Sequence, residues 1–235
     1  MTIHLACCSD THDGLPPVLD VADVSAWLHA GDIYEGTTRA KAAGTPRFRR
    51  QDWTEGEALR RWTAEQVVPV YAVRGNHDCK DCWKVFDAWQ DVSGRIVQLA
   101  ERLFVAGIGW HGEKYFDTPG ESDVRPVCEM ILRQARRLVT PRDSLVLLTH
   151  YPPLLPGMFP TSGGVDAFVC IRQLIEQLTP VTVVQGHVHA WFGLSGYWEH
   201  AAGKTLVLSP GPPGAILSVD VESRSAICRM KIDER

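Results

Sequence analysis

The chain has 235 residues, 45% of them hydrophobic and 22% charged, and a formal net charge of −4. That is the balance of an ordinary globular protein long enough to bury a substantial core, and it argues against non-specific nucleic-acid binding by the chain as a whole. No apolar stretch approaches a membrane span, the first residues lack a basic signal-peptide region, and seven cysteines form no even disulfide set, so a reducing, cytoplasmic setting is expected.

Ile3 to Cys8 reads as a first buried strand, ending at the polar loop Ser9-Asp10-Thr11-His12-Asp13-Gly14. Ser25 to Ala30 reads as a second strand, ending at Gly31-Asp32. A polar, basic loop-plus-helix insertion follows at about 36–66. Its helix is announced by the capping-box pattern Thr54-Glu55-Gly56-Glu57, with Ala58, Leu59, Trp62 and Gln66 at helical spacing. Val70 to Val73, β-branched and aromatic, is a third strand that runs into Arg74-Gly75-Asn76-His77-Asp78. Cys79 and Cys82 form a C-x-x-C pair with no second pair to complete a zinc site, and read as two thiols beside a loop.

Arg95 to Leu99 and Leu103 to Ile108 look like a hairpin pair. A glycine- and aromatic-rich loop with Trp110, His111, Tyr115 and Phe116 comes next. Pro126 to Leu138 reads as a helix opened by its proline. Ser144 to Leu148 is a continuous apolar strand ending at Thr149-His150. Asp166 is placed to cap a helix from Ala167 to Leu178, and Val181 to Val184 is a strand ending at Gly186-His187-Val188-His189. From Lys204 onward the pattern is a run of antiparallel strands: Thr205 to Leu208, Ala215 to Val221 and Ser225 to Ile232. With no linker or repeat, residues 1–235 read as one domain.

Five strand ends therefore stop at metal-binding residue types: Asp10-x-His12, Gly31-Asp32, Asn76-His77-Asp78, His150 and His187-x-His189. Residues i and i+2 of a strand share a face, so both members of each spaced pair can point into one cavity. Two carboxylates, one amide oxygen and four imidazoles, with His77 kept aside, are too many ligands for one tetrahedral zinc. Shared between two ions they give three or four each, leaving positions for water and substrate. Mixed N and O donors without thiolate suit Mn, Fe, Zn or Ni, with manganese the favoured choice. Two metals roughly 3.5–4 Å apart are the arrangement for hydrolysing phosphate esters. His4, His29, His111 and His200 stand alone and read as surface or satisfied core histidines.

In this order the motifs D-x-H, G-D, G-N-H-D, H and G-H-x-H resemble those of the calcineurin-like metallophosphoesterase superfamily, and the match spans almost the whole chain. The resemblance implies a four-layer α/β/β/α sandwich of two mixed β-sheets flanked by helices, with the C-terminal antiparallel strands in the second sheet. It implies that Asp10, His12 and His189 hold a first metal, that Asn76, His150 and His187 hold a second, and that Asp32 bridges both. A hydroxide between the metals would attack phosphorus in line. His77 would act as the acid, with Asp78 a catalytic-site orienter of His77 or of a ligand histidine.

The stretch Gly31-Asp32-Ile33-Tyr34-Glu35-Gly36 lacks the arginine of the superfamily's protein phosphatases, and Asp78 stands where they have glutamate. The chain is also too short for the capping domain of the repair nucleases. The expected activity is a metal-dependent phosphoric ester hydrolase acting on phosphodiesters of a small molecule or nucleotide. The alternatives are a phosphomonoesterase with the same site, or a nuclease guided by the basic insertion. Arg74, Trp110 and Tyr151 are the expected substrate contacts. The expected partner is the small-molecule ester itself, with nucleic acid not favoured and no membrane.

Overall fold

The computed structural model describes residues 1–12, 14–17, 19, 23–33, 59, 61–78, 89–109, 119–159 and 167–230. Their elements are strands β1 (Thr2–Cys8), β2 (Val24–His29), β3 (Val70–Ala72), β4 (Trp89–Asp91), β5 (Ile96–Ala100) and β6 (Leu103–Ile108), then helix α1 (Glu121–Leu138). Strand β7 (Ser144–Thr149), helix α2 (Val169–Leu178), β8 (Thr182–Gln185) and a 3-10 turn (His189–Trp191) follow. Strands β9 (Leu194–His200), β10 (Gly203–Ser209), β11 (Ala215–Asp220) and β12 (Ser225–Met230) complete the set.

The strands form two mixed six-stranded sheets, ordered β12-β11-β1-β2-β3-β4 and β5-β6-β7-β8-β10-β9. Leu5, Leu28, Val105, Leu148 and Leu217, all fully buried, fill the space between them, and each such side chain contributes roughly 1.5–3 kcal/mol by leaving water. The outer face of the second sheet packs Leu145, Leu147 and Val183 against Ile131 of α1 and Ile171 and Leu174 of α2. The outer face of the first sheet is covered by Leu59, Trp62 and Trp89 around Trp27. Sheet on sheet, with covering layers on both outer faces, is the expected sandwich.

Three details depart from the sequence reading. The C-terminal strands do not stay in one sheet: β10 joins the second, parallel to β8, while β11 and β12 return to the first beside β1. Helix α1 starts at Glu121, five residues before Pro126, because the Gly120 N–H donates to the Asp123 carboxylate at 2.8 Å and closes the first turn. Helix α2 starts at Val169. Its first N–H groups, on Val169 and Cys170, donate to the Glu121 carboxylate of α1 at 3.0 and 2.7 Å, so one helix caps the other. Asp166, most of the 36–66 insertion, and Cys79 and Cys82 lie outside the described residues.

Register sets the level of the site. Strands β1, β2 and β3 are parallel, with Cys8 opposite His29 and His29 opposite Ala72. In the second sheet Ile108 stands opposite Thr149, and Thr149 opposite Gln185. All five motifs begin within a few residues beyond these two rungs, at the same edge of the sandwich, where a parallel sheet leaves its carboxyl ends open.

Candidate metal centre

Four of the residues at this edge, Asp10 (φ 52°), His12 (45°), Asp32 (54°) and His187 (69°), adopt the left-handed backbone region. Non-glycine residues rarely do so, at a cost of order 1–3 kcal/mol each. The turn they make is what swings side chains from the strand direction into one cavity. Two glycines are there for space: a Cβ on Gly75 would overlap Asp32 Oδ1, and one on Gly186 would lie 2.6 Å from Asp10 Oδ2.

The donors converge in two groups. In the outer one, Asp10, His12 and His189 bring their ligand atoms within 4.8 Å of one another. His12 Nε2 is 3.3 Å from His189 Nε2, which is 3.7 Å from Asp10 Oδ1. In the inner group, Asn76 Oδ1 lies 3.0 Å from both His150 Nε2 and His187 Nδ1. Asp32 adjoins both groups. It clusters with Asp10 and His150 on one side and with His12 and His77 on the other, and its Oδ2 is 3.4 Å from His150 Nε2.

The chemistry of this donor set fits a cation. His150 Nδ1 donates to the Ala30 carbonyl at 2.8 Å, which leaves Nε2 to face Asn76 Oδ1 and Asp32 Oδ2. Three such atoms turned toward each other are favourable only around a proton or a metal ion. Charge tells the same story. Burial disfavours a charged His150, but Asp32 and Asp10 outweigh it and raise its pKa to about 9. Burial pushes the Asp32 carboxyl up, yet His150 and His77 hold it well below the usual carboxylate range. Asp10 is pushed up by burial, with Asp32 adding to the effect and His150 opposing it. Burial and then the charge of His150 take His187 down to about 3.

The remaining predicted residues take distinct places. The His77 N–H donates to Asp32 Oδ1 at 2.9 Å, and its half-buried ring stands edge-on to His12. Asp78, expected to orient a histidine, accepts main-chain N–H groups of Asp32 and Gly75 at Oδ2 and of Ile33 at Oδ1, each at 2.9 Å. It ties the ends of β2 and β3 together. Tyr151, expected at the substrate, is fully buried, with its ring edge-on to His150 and His187; it backs the inner histidines. The guanidinium of Arg74 pairs with Asp91, Nε and Nη2 each 2.9 Å from Oδ2. Trp110 lies outside the described residues. The residue whose place at the site was missed is His29, which is buried beneath the loop of Asp10 and His12, with Nε2 3.1 Å from Thr11 Oγ1. The alternation of β2, with Leu28 inward and His29 outward, was its only signal in the sequence.

The sequence profile of the calcineurin-like phosphoesterase family matches residues 3–191. The chain belongs to that family. Calcineurin-like members are hydrolases of phosphate esters, and the two mixed sheets found here are their fold. Solved structures agree at the level of fold. TT1561 of Thermus thermophilus shares 15% identity and a TM-score of 0.57, covering 99% of this chain and 100% of that one. GAP50, the anchor in the inner membrane complex of Plasmodium, shares 8% and 0.55, covering 97% and 84%. The phosphopantetheinyl hydrolase of Mycobacterium tuberculosis shares 14% and 0.51, covering 89% of each. No curated protein matches. Among the described residues no helix is long and apolar enough to cross a membrane.

Proposed function

We propose that this calcineurin-like chain is a dinuclear metal-dependent phosphoesterase of the cytoplasm whose preferred substrates are phosphodiesters of a small molecule or nucleotide. The observation that carries the reading is the convergence of both donor groups on Asp32. Asp10, His12 and His189 would hold one divalent ion and Asn76, His150 and His187 the other, with Asp32 shared between them. Manganese suits these mixed N and O donors. Two such ions, when bound, supply Lewis acidity and lower the pKa of water toward about 7.

The chain's own residues do the rest. Asp10 and Asp32 are each held by a main-chain N–H, from His187 and His77 respectively, so the carboxylates are oriented before substrate arrives. His77, its Nε2 3.8 Å from Asp32 Oδ2, is placed to serve the leaving oxygen as an acid. Tyr151 and the Ala30 carbonyl keep His150 from rotating. The fold by itself does not entail catalysis, since one structural neighbour is named as an anchor; the complete donor set and His77 support an enzyme here.

The test is hydrolysis of bis-p-nitrophenyl phosphate and p-nitrophenyl phosphate by manganese-loaded protein. Diester turnover at or above monoester turnover is expected. A monoester rate far above the diester rate would replace the diester reading with a phosphomonoesterase at the same site.

A further inference from the structure

His29 is the last residue of β2 and is 1% exposed. Its ring points to the outer face of the first sheet, where it meets Trp89 with centroids 5.6 Å apart. Nδ1 has no hydrogen-bond partner among the described residues, and burial takes the imidazole down to about 3, so it is neutral. A buried ring with one unmet nitrogen is a costly way to fill an apolar layer that holds Trp27, Trp62 and Trp89. What the imidazole provides is the bond from Nε2 to Thr11.

Thr11 sits between Asp10 and His12, both in the left-handed region. Its carbonyl accepts the Gly14 N–H at 2.8 Å. The Asp10 N–H donates to the Gly31 carbonyl, and the His12 N–H to the Asp32 carbonyl. Among the described residues, the Thr11 hydroxyl is the side-chain tether of this strained tripeptide to the layer below. The chain of contacts continues outward: Trp89 Nε1 donates to Thr63 Oγ1 at 2.6 Å, and Thr63 Oγ1 donates to the Leu59 carbonyl at 2.8 Å.

We infer that His29 is a positioning residue for the outer half of the centre: through Thr11 it sets the direction of His12, and so the affinity of the Asp10–His12–His189 group for its ion. The inner ligands follow β3, β7 and β8, and their anchor on β2 is the main-chain carbonyl of Ala30, so loss of the His29 imidazole leaves that group unchanged. The inference rests on the dinuclear reading above.

Manganese titration by calorimetry of the chelator-stripped full chain tests it, with thermal unfolding as the control for folding. His12→Ala identifies the binding step that belongs to the outer half. His29→Phe and Thr11→Val are expected to weaken that same step by about 10–100-fold, the usual effect of removing a group that orients a ligand, and to leave the other step unchanged. Thr11→Ser keeps the hydroxyl and restores it. If His29→Phe does not fold, Thr11→Val with Thr11→Ser carries the test. Two unchanged steps in a folded variant overturn the inference, and so do two steps weakened equally. A native chain that binds fewer than two ions overturns the dinuclear reading itself, and this inference with it.

Discussion

The two halves of the donor cluster are built differently. The inner half hangs on the sheet. His150 follows β7 directly: its N–H donates to the Ile108 carbonyl at 3.3 Å, its carbonyl accepts the Gly186 N–H at 3.2 Å, and its ring is anchored to Ala30. It is fully buried. The outer half reaches away from the sheet. His189 lies in the 3-10 turn, its side chain 61% exposed, with its ring tilted against Phe192. The same ligand types thus occur as a fixed set and as an open one. On the dinuclear reading, the buried set would keep its ion and the exposed set would exchange its own.

The sharpest way to break this contrast is to remove the residue common to both halves. Asp32→Ala is expected to lose both ions by elemental analysis and about 10³-fold or more in turnover; retention of two ions would show that Asp32 is not shared. Next, His150→Ala and His189→Ala should each lose one ion but differ in stability. With metal stripped, His150→Ala should destabilise by about 2–4 kcal/mol, because it opens a cavity beside Tyr151 and takes from Asp32 the nearer of its two histidine partners. His189→Ala should stay within about 0.5 kcal/mol. Equal losses in urea unfolding would erase the distinction. His77→Ala should keep both ions and lose about 10²–10⁴-fold in turnover; unchanged turnover would remove His77 from the chemistry.

A pH dependence completes the comparison. The folded pKa of His150, about 9, lies above its ordinary value. In stripped protein its proton therefore contributes stability that is fully present below about pH 6.5 and is lost as pH rises through 9. Metal must displace that proton, so loaded protein should gain stability over the same interval. Melting curves of the two forms from about pH 6.5 to about 9 should move in opposite directions, and parallel curves would mean that His150 is not a ligand.

Much of the site was legible because strand ends are legible. Each of the five motifs follows an apolar run, and the polar residues begin where the run stops. The fold was legible for the same reason, apart from the pieces that depend on distant contacts. Strand β4, Trp89-Gln90-Asp91, is too short to show a period, and β9 alternates around an exposed edge. Helix α1 begins with polar residues whose role, capping α2 through Glu121, is set in three dimensions. Tyr151 and His29 show the limit most clearly. An aromatic beside a motif gives no hint of which way it faces, and a lone histidine in a strand gives no hint that its partner is the loop between two ligands.

The return of β11 to the first sheet has a consequence for how the chain comes off the ribosome. Strand β1, which delivers Asp10 and His12, is flanked by β2 on one side and by β11 on the other, with Thr2 opposite Asp220. Its second flank does not exist until residue 220 has been made, well after all five motifs have emerged. Contacts of such long sequence separation form late. The first motif to be synthesised is therefore among the last to be locked in place. A nascent chain stalled after residue 191 would carry every ligand and still lack the strand that holds the first two.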